Sequence, residues 1–172
     1  AAQVVPGSRW DADRVGHATP RFLATVPHPE RADPSAFGWS TGETISMDPM
    51  QRILLETAAH VPIGHDPSVR SKTSVLIGVS SMDHRGALAT FAGTKSGAAA
   101  TGTALSVVSG RLAFTFWYGG YAASIDTACS SALVALHLAV SSSSSSKPPV
   151  AIVGGVNLIY APDVSVMFAT AG

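Results

Sequence analysis

The sequence predicts a layered α/β fold, because short apolar strands alternate with helices from residue 49 onward. Strands are predicted at 74–79, 122–126 and 150–153, with helices at 49–60 and 129–140. Hydrophobic residues make up 46% of the 172 residues, the usual share for a globular protein. The length suffices for one domain with a buried core.

The first predicted helix has a clear start and a clear stop. The first forty residues hold many Pro and Gly and little periodicity, so we expect mostly irregular chain there. Asp48 is a good helix cap and Pro49 fits the first helical position. Apolar residues follow at helical spacing until Pro62 and Gly64 end the pattern.

The middle of the chain gives one clear strand and one ambiguous stretch. Residues 74–79 form a short apolar β-branched run, which indicates a buried strand. Residues 93–109 are rich in small side chains and are predicted to be helical at their later end. Residues 112–117 fit either a strand or the end of that helix. The strand at 122–126 then leads into a turn.

The helix at 129–140 is apolar on nearly every face, and such a helix is expected to be buried on all sides. Six consecutive serines and Lys147-Pro148-Pro149 follow it, so 141–149 is predicted to be a low-complexity loop. The strand at 150–153 ends at Gly154-Gly155.

The charge pattern suggests that part of the chain is covered by other protein. Residues 73–172 carry only four Lys or Arg and three Asp or Glu. A self-contained soluble domain of that size usually shows more surface charge. We expect missing chain, a second subunit or both to cover this segment.

Composition also excludes several classes of function. The eleven basic and eleven acidic residues cancel, so no overall field favours nucleic acid or an anionic membrane. A single cysteine excludes an internal disulfide framework and a Cys-rich zinc site. No apolar stretch reaches the roughly 18 residues of a membrane span. The N-terminus has no initiator Met and no signal-peptide pattern, so we expect it to be a cut rather than a natural start.

Cys129 carries the strongest chemical signal. It lies where the strand at 122–126 turns into the apolar helix. Helix N-termini present unpaired amides and a partial positive charge, which stabilise the reactive thiolate. Ala128, Ser130, Ser131 and Ala132 are all small and leave room beside the sulfur for an acyl group. A nearby amide can stabilise an oxyanion, so the arrangement favours acyl transfer through a thioester.

The residues alone leave a structural role for Cys129 open, because free cysteines are often small buried hydrophobes. Asp126 and Thr127 are candidate caps for the helix.

His137 lies eight residues after Cys129, about 12 Å along a helix, which is too far for a hydrogen bond to the sulfur. We interpret it as structural. The remaining histidines stand in polar or turn-rich contexts and are expected to be solvated: His17, His28, His60, His65 and His84.

The segment DTACSSALVALHLA, at 126–139, resembles the active-site segment of β-ketoacyl synthase (ketosynthase) domains of type I polyketide synthases and animal-type fatty acid synthases. Further segments resemble the same family and occur in its order. They are SRWD at 8–11, MDPMQRILLE at 47–56, GRLAF at 110–114 and VGGVNL at 153–158. The resemblance therefore spans essentially all 172 residues.

This resemblance implies a thiolase-like layered α/β/α fold, of which residues 1–172 would be the N-terminal half. The family's HGTGT and KSNIGH segments, which carry its catalytic histidines and a supporting lysine, are absent here. The late glycine-rich loop with the second oxyanion donor is also absent. We therefore expect a partial ketosynthase domain, incomplete at both ends, that is inactive in condensation by itself.

The resemblance also implies a role for Cys129. It would be the catalytic nucleophile, and its own amide would be half of the oxyanion hole. The expected substrate is an acyl group on phosphopantetheine, joined to a malonyl-type extender by decarboxylative Claisen condensation, with no cofactor or metal bound directly. Expected partners are an acyl carrier protein, the remaining half of the domain and a second copy in a homodimer, in the cytoplasm.

Two other functions stay open at this point. The missing half and the serine run suggest a non-catalytic scaffolding or packing module derived from a ketosynthase. A thiolase-like acyltransferase that uses coenzyme A thioesters directly is the other alternative.

Overall fold

The computed structural model describes residues 2–7, 10–15, 21–29, 31–80, 83–89, 96–142 and 150–171. The larger of two compact units comprises Ala32–Leu158. The smaller comprises the described residues up to Arg31 together with those from Ile159 onward. No helix in these described ranges has the length and apolar character needed to cross a membrane.

The smaller unit contains two short strands and two helices. They are β1 (Ala2–Val4), α1 (Ala12–Val15), β2 (Phe22–Ala24) and α9 (Asp163–Ala171). The two strands pair antiparallel, with Gln3 opposite Leu23. The described residues before residue 40 are mostly irregular, as expected, apart from β1, α1, β2 and a short 3₁₀ turn, which have too few residues to show periodicity.

The larger unit contains the central sheet and most of the helices. Its strands are β3 (Ser74–Gly78), β4 (Ala122–Ile125) and β5 (Ala151–Gly155). Its helices are α2 (Thr41–Ser46), α3 (Pro49–Ala59), α4 (Pro67–Arg70), α5 (His84–Ala89), α6 (Gly97–Gly102), α7 (Val107–Phe116) and α8 (Ser131–Ser141), with a 3₁₀ turn at Pro34–Phe37.

The sheet is parallel, with strand order β4-β3-β5. Leu76 in the central strand lies opposite Ala123 on one side and Val153 on the other. All five residues of β3 are buried, which is typical of a parallel strand covered on both faces. The three strands predicted in this part of the sequence are therefore confirmed, and β5 also includes the glycine pair.

Helices cover both faces of this sheet. Ala135 and Ala139 of α8 pack with Leu76 on one face. On the other face, Leu54 of α3 approaches Gly154, and alternate residues of a strand point to opposite faces. The larger unit is therefore layered helix, sheet and helix, as the sequence predicts.

The start of α3 is fixed by the cap that the sequence predicts. The Asp48 carboxylate accepts a hydrogen bond from the Met50 N–H at 2.8 Å, and Pro49 occupies the first helical position. The Asp48 N–H in turn donates to the Gly102 carbonyl at 2.9 Å. Asp48 is fully buried. The cap thus ties α3 to the end of α6.

A polar contact joins α3 to α7. The Gln51 amide donates to the Gly102 carbonyl at 3.0 Å and accepts from the Arg111 guanidinium at 2.8 Å. A β-carbon at Gly102 would lie 2.2 Å from the Ser46 carbonyl oxygen, so only glycine fits there. The MDPMQR and GRLAF segments are therefore packed together in the fold, although about sixty residues of chain separate them.

One open choice is decided and two sequence predictions are corrected. Residues 112–117 are the end of a helix rather than a strand, because Leu112–Phe116 complete α7 and Trp117 ends it at a φ of 60°. Helix α8 begins at Ser131, two residues later than expected. It is not buried on all sides: Ser131, Ala135 and Ala139 are buried, whereas Leu133 is 71% exposed. One face of α8 packs against the sheet. In the described structure the opposite face is exposed to solvent.

Gly78→Ala is expected to destabilise the larger unit by about 3 kcal/mol, because it overpacks a contact between two backbones. A β-carbon at Gly78 would lie 2.5 Å from the Ala132 nitrogen. Gly110→Ala is the matched control, since nothing lies within 4 Å of its β-carbon position inside α7. That variant should gain about 1 kcal/mol from helix propensity. Urea unfolding of both variants checks this, and equal stabilities would contradict the packing argument.

Asp48→Asn should change the pH dependence of stability while keeping the helix cap. Burial raises the pKa of Asp48 from 3.8 to about 6. Between these values the folded state holds the proton more tightly than the unfolded chain. The free energy of unfolding of the native protein therefore falls, by on the order of 3 kcal/mol, as the pH rises through this window.

Asp48→Asn lacks the carboxyl group that titrates. All other titrating groups are the same in both proteins, so the difference between their free energies of unfolding reports the titration of Asp48 alone. Measured between about pH 4 and pH 7, this difference in the free energy of unfolding should change with pH. A difference independent of pH would contradict the prediction.

Candidate active site

Cys129 lies in a five-residue turn between β4 and α8, at the carboxyl end of the parallel sheet. Its side chain is exposed. Ser130 is the cap residue of α8 and makes no capping hydrogen bond with its side chain. The expectation that Asp126 or Thr127 caps the helix is therefore wrong, because the helix begins later than the sequence pattern suggested.

The turn is tight and contains a residue in an unusual backbone conformation. Ala128 has a φ of 54°, in the left-handed region that favours glycine. Its N–H donates to the Asp126 carboxylate at 3.0 Å. The Ser131 N–H donates to the Ala128 carbonyl at 3.1 Å. These bonds fold the chain back immediately before and after Cys129.

Two serine hydroxyls add further hydrogen bonds to the turn. The Ser131 hydroxyl donates to the Ala128 carbonyl at 2.6 Å and accepts from the Thr127 N–H at 2.9 Å. The Ser130 hydroxyl donates to the Thr127 carbonyl at 2.8 Å. Ser131 is buried and Ser130 is exposed. Hydrogen bonds that involve Asp126, Ser130 and Ser131 thus hold the turn in this conformation.

Close packing places the start of α8 against the strand ends. A β-carbon at Gly155 would lie 2.8 Å from the Ala132 β-carbon, and one at Gly78 would meet the Ala132 backbone. The first turn of α8 therefore rests on the carboxyl ends of β5 and β3. Cys129, three residues before Ala132, is held just beyond the sheet.

A second contact supports the strand that leads to the turn. The Ser109 N–H, in α7, donates to the Ser124 hydroxyl at 3.2 Å, and the two hydroxyls lie 3.0 Å apart. Ser109 is almost fully buried. The contact joins α7 to β4 four residues before Ala128.

This arrangement suits a thiol nucleophile. The N-terminus of the eleven-residue α8, with its partial positive charge, lies next to the turn. This partial charge stabilises negative charge on a nearby sulfur or oxygen. The side chains that surround Cys129 in sequence are small and exposed, so an acyl group can approach from solvent.

The structure assigns no described histidine to Cys129. His137 is exposed and its Nε2 lies 3.4 Å from the Ser141 hydroxyl. His60 and His65 are exposed and contact the Glu56 carbonyl and the Arg70 guanidinium, respectively. His28 is also exposed, and His17 lies outside the described residues. The described ranges hold no group of three or more His, Cys, Asp or Glu residues arranged for a metal ion.

His84 is an exception among the histidines. It is half-buried, and burial lowers its pKa. The prediction that it is solvated is therefore wrong, because Ile45 and Arg52, which are distant in the sequence, lie beside it.

Ser131 is the site residue whose role the sequence does not reveal. The sequence marks it only as a small polar residue in an apolar helix. Its spacing of four and eight residues from Ala135 and Ala139 places it on the buried face. A hydroxyl on that face needs a hydrogen-bond partner, and this need is the signal that points to the turn.

The predicted loop at 141–149 lies mostly outside the described residues.

Comparison with known proteins gives the family. The family described as "Beta-ketoacyl synthase, N-terminal domain" matches residues 1–172. The chain is 39% identical over 172 residues to polyketide synthase GfsE of Streptomyces halstedii, a match that covers 93% of this chain and 4% of that protein. It is 42% identical over 182 residues to the spectinabilin polyketide synthase system protein NorC of Streptomyces orinoci, covering 98% of this chain and 8% of that protein.

Solved structures give the same result. The ketosynthase from module 6 of the bacillaene synthase of Bacillus subtilis 168 superimposes with a TM-score of 0.83 at 28% identity, over all of this chain and 29% of that one. The Streptomyces albus oxazolomycin ketosynthase domain OzmH KS7 gives 0.81 at 29% identity, over 99% and 32% of the two chains. The chain thus spans under a tenth of these curated relatives and about a third of the solved chains.

These matches confirm the thiolase-like fold class and the family resemblance that the sequence motifs indicate. The chain belongs to the β-ketoacyl synthase family, whose N-terminal domain it matches over its whole length.

Proposed function

We propose that this chain supplies the acyl-accepting nucleophile of a polyketide-synthase condensing enzyme, and that Cys129 is that nucleophile. The observation that carries the proposal is the exposed thiol at the strand–turn–helix junction. The family match, and relatives that are polyketide synthases, support the same role.

The first step is thioester exchange. The Cys129 thiolate attacks the carbonyl carbon of an acyl group on phosphopantetheine, and the carbonyl electrons move to oxygen. When the oxyanion collapses, the bond to the pantetheine sulfur breaks. The pantetheine thiolate leaves and takes up a proton equivalent to the one that Cys129 lost. The Cys129 N–H is the donor of this chain that we assign to the oxyanion.

The second step is decarboxylative condensation. A malonyl-type thioester loses carbon dioxide, and the resulting carbanion attacks the acyl carbon on Cys129. A carbon–carbon bond forms, the bond to Cys129 breaks, and the product is a β-ketoacyl thioester with the cysteine thiolate regenerated. The family's catalytic histidines lie in HGTGT and KSNIGH segments, which are absent from residues 1–172, so we assign the bases for this step to the remaining part of the domain.

The surface of the larger unit supports two protein partners. Leu133 and Val140, on the open face of α8, are exposed, and we propose that the remaining half of the domain covers them. Phe114 and Trp117 stack with 6.4 Å between ring centroids and are about four-fifths exposed. In the described part of the chain β4 pairs only with β3, so β4 is an edge strand of the sheet. We propose that the homodimer partner contacts the unpaired edge of β4.

The third partner that we propose is an acyl carrier protein. It would bring the phosphopantetheine-linked acyl group to the exposed turn at Cys129. A coenzyme A-dependent acyltransferase is the alternative enzyme, and an inert scaffolding module is the non-enzymatic alternative. The accessible thiol favours an enzyme over a scaffold.

Acyl loading tests the role of Cys129. An acyl carrier protein charged with an acyl group should transfer it to the native chain, adding the mass of one acyl group to the peptide that contains Cys129. Cys129→Ala should gain none, because it removes the single thiol of the chain. Mass spectrometry of the digested protein makes the measurement.

The matched donor is the same acyl group on coenzyme A, which should load more slowly. Equal or faster loading from coenzyme A favours the alternative enzyme. A native thiol that takes up neither the acyl group nor iodoacetamide at neutral pH contradicts the proposal and supports the scaffolding module.

Condensation is expected to fail with residues 1–172 alone. After acyl loading, addition of a malonyl thioester should leave the acyl group on Cys129 and give no β-ketoacyl product, since the chain lacks the bases that we assign elsewhere. Mass spectrometry of the thioester products makes the measurement. Detection of a β-ketoacyl thioester would show that the chain is catalytically sufficient.

A further inference from the structure

We propose that Ser131 is a positioning residue that sets the direction of the Cys129 backbone N–H. The inference rests on the proposed function, in which that N–H stabilises the oxyanion formed during acyl transfer. Ser131 itself does not touch the reacting atoms in this account; it acts through the peptide unit that joins Ala128 to Cys129.

The geometry of that peptide unit couples its carbonyl to its N–H. A peptide bond is planar, and the chain has no cis peptide bonds among its described residues. The Ala128 carbonyl and the Cys129 N–H therefore point in opposite directions within one plane. Any group that fixes the Ala128 carbonyl fixes the Cys129 N–H with it.

Ser131 fixes this carbonyl with two donors. Its hydroxyl lies 2.6 Å from the Ala128 carbonyl oxygen and its N–H lies 3.1 Å from the same oxygen. Both draw the carbonyl toward the first turn of α8. The Cys129 N–H is consequently directed away from the helix.

The same hydroxyl also accepts the Thr127 N–H at 2.9 Å, so one oxygen atom bonds to the backbone before and after the Thr127–Ala128 peptide. Ala128 keeps a φ of 54° between these contacts, a conformation that an alanine disfavours. Rotation of the Ala128–Cys129 peptide would break both hydrogen bonds to the Ala128 carbonyl. The hydroxyl therefore opposes the rotation that would misdirect the Cys129 N–H.

Burial makes this hydroxyl hard to replace. Ser131 is 5% exposed, so water has little access to take over its hydrogen bonds. Ser130 differs on both counts, because it is exposed and its hydroxyl contacts only Thr127. The positioning role thus falls to the second serine of the pair.

Two reactions of the same thiol separate positioning from general structural support. Acylation by a thioester passes through an oxyanion and needs a correctly directed donor. Alkylation by iodoacetamide displaces iodide at a saturated carbon and forms no oxyanion. Loss of the Ser131 hydroxyl should therefore slow acylation and leave alkylation nearly unchanged, whereas a damaged turn would change both.

The experiment compares Ser131→Ala with the native chain and with Ser142→Ala. Ser142 is the matched control, since its hydroxyl donates to the Ala139 carbonyl at the other end of α8. Ser131→Ala should be acylated by an acyl-pantetheine thioester roughly ten- to a hundredfold more slowly, part of the loss expected when an oxyanion donor is removed. Its alkylation rate should stay within about twofold, and both rates of Ser142→Ala should stay native.

Two further variants cover the case in which Ser131→Ala does not fold. Ser131→Thr keeps the hydroxyl and should restore fast acylation. Ala128→Gly combined with Ser131→Ala should fold, because glycine adopts a positive φ without strain. Since this double variant still lacks the hydroxyl, it should fold and yet be acylated slowly.

The outcomes separate the two proposals. Acylation of Ser131→Ala, or of the double variant, at the native rate overturns the positioning role. Equal slowing of acylation and alkylation also overturns it, because the effect is then general damage to the turn. Failure of the native chain to be acylated at all overturns the proposed function instead.

Discussion

The first turn of α8 lies directly on the carboxyl ends of β3 and β5, and the candidate site depends on this contact. A β-carbon at Gly78 would lie within 2.5 Å of the helix backbone, and one at Gly155 would lie 2.8 Å from the Ala132 side chain. Two strand ends without side chains therefore set the position of the helix. Its position determines where the chain must turn, and Cys129 occupies that turn.

The open apolar surfaces follow from the same layered arrangement. One face of α8 covers the sheet, and the opposite face exposes Leu133 and Val140. Burial stabilises leucine and valine side chains, which supports the proposal that the remaining half of the domain covers this face. The same proposal agrees with the low charge of residues 73–172, because surface that is covered in an assembly does not need charge to stay soluble.

The sequence predicted those parts of the fold that local chemistry determines. Asp48 and Pro49 specify the start of α3, and the apolar run at 74–79 specifies β3, because capping and hydrophobic pattern act over a few residues. Cys129 was located by its place between a strand and a helix. The Gln51–Arg111 contact and the two hydrogen bonds of Ser131 were not predicted, since each depends on segments or turn geometry that only the folded chain brings together. The ambiguity at 112–117 had the same origin: an apolar run of that length suits a helix end and a strand equally, and packing decided between them.

In the proposed reaction the thiol of Cys129 captures an acyl group while its own backbone N–H stabilises the developing negative charge. A crystal structure of the acylated chain should therefore show a thioester on Cys129 whose carbonyl oxygen lies about 2.7–3.2 Å from the Cys129 nitrogen. An acyl group on another residue, or a thioester oxygen that points away from that nitrogen, would contradict the proposed reaction.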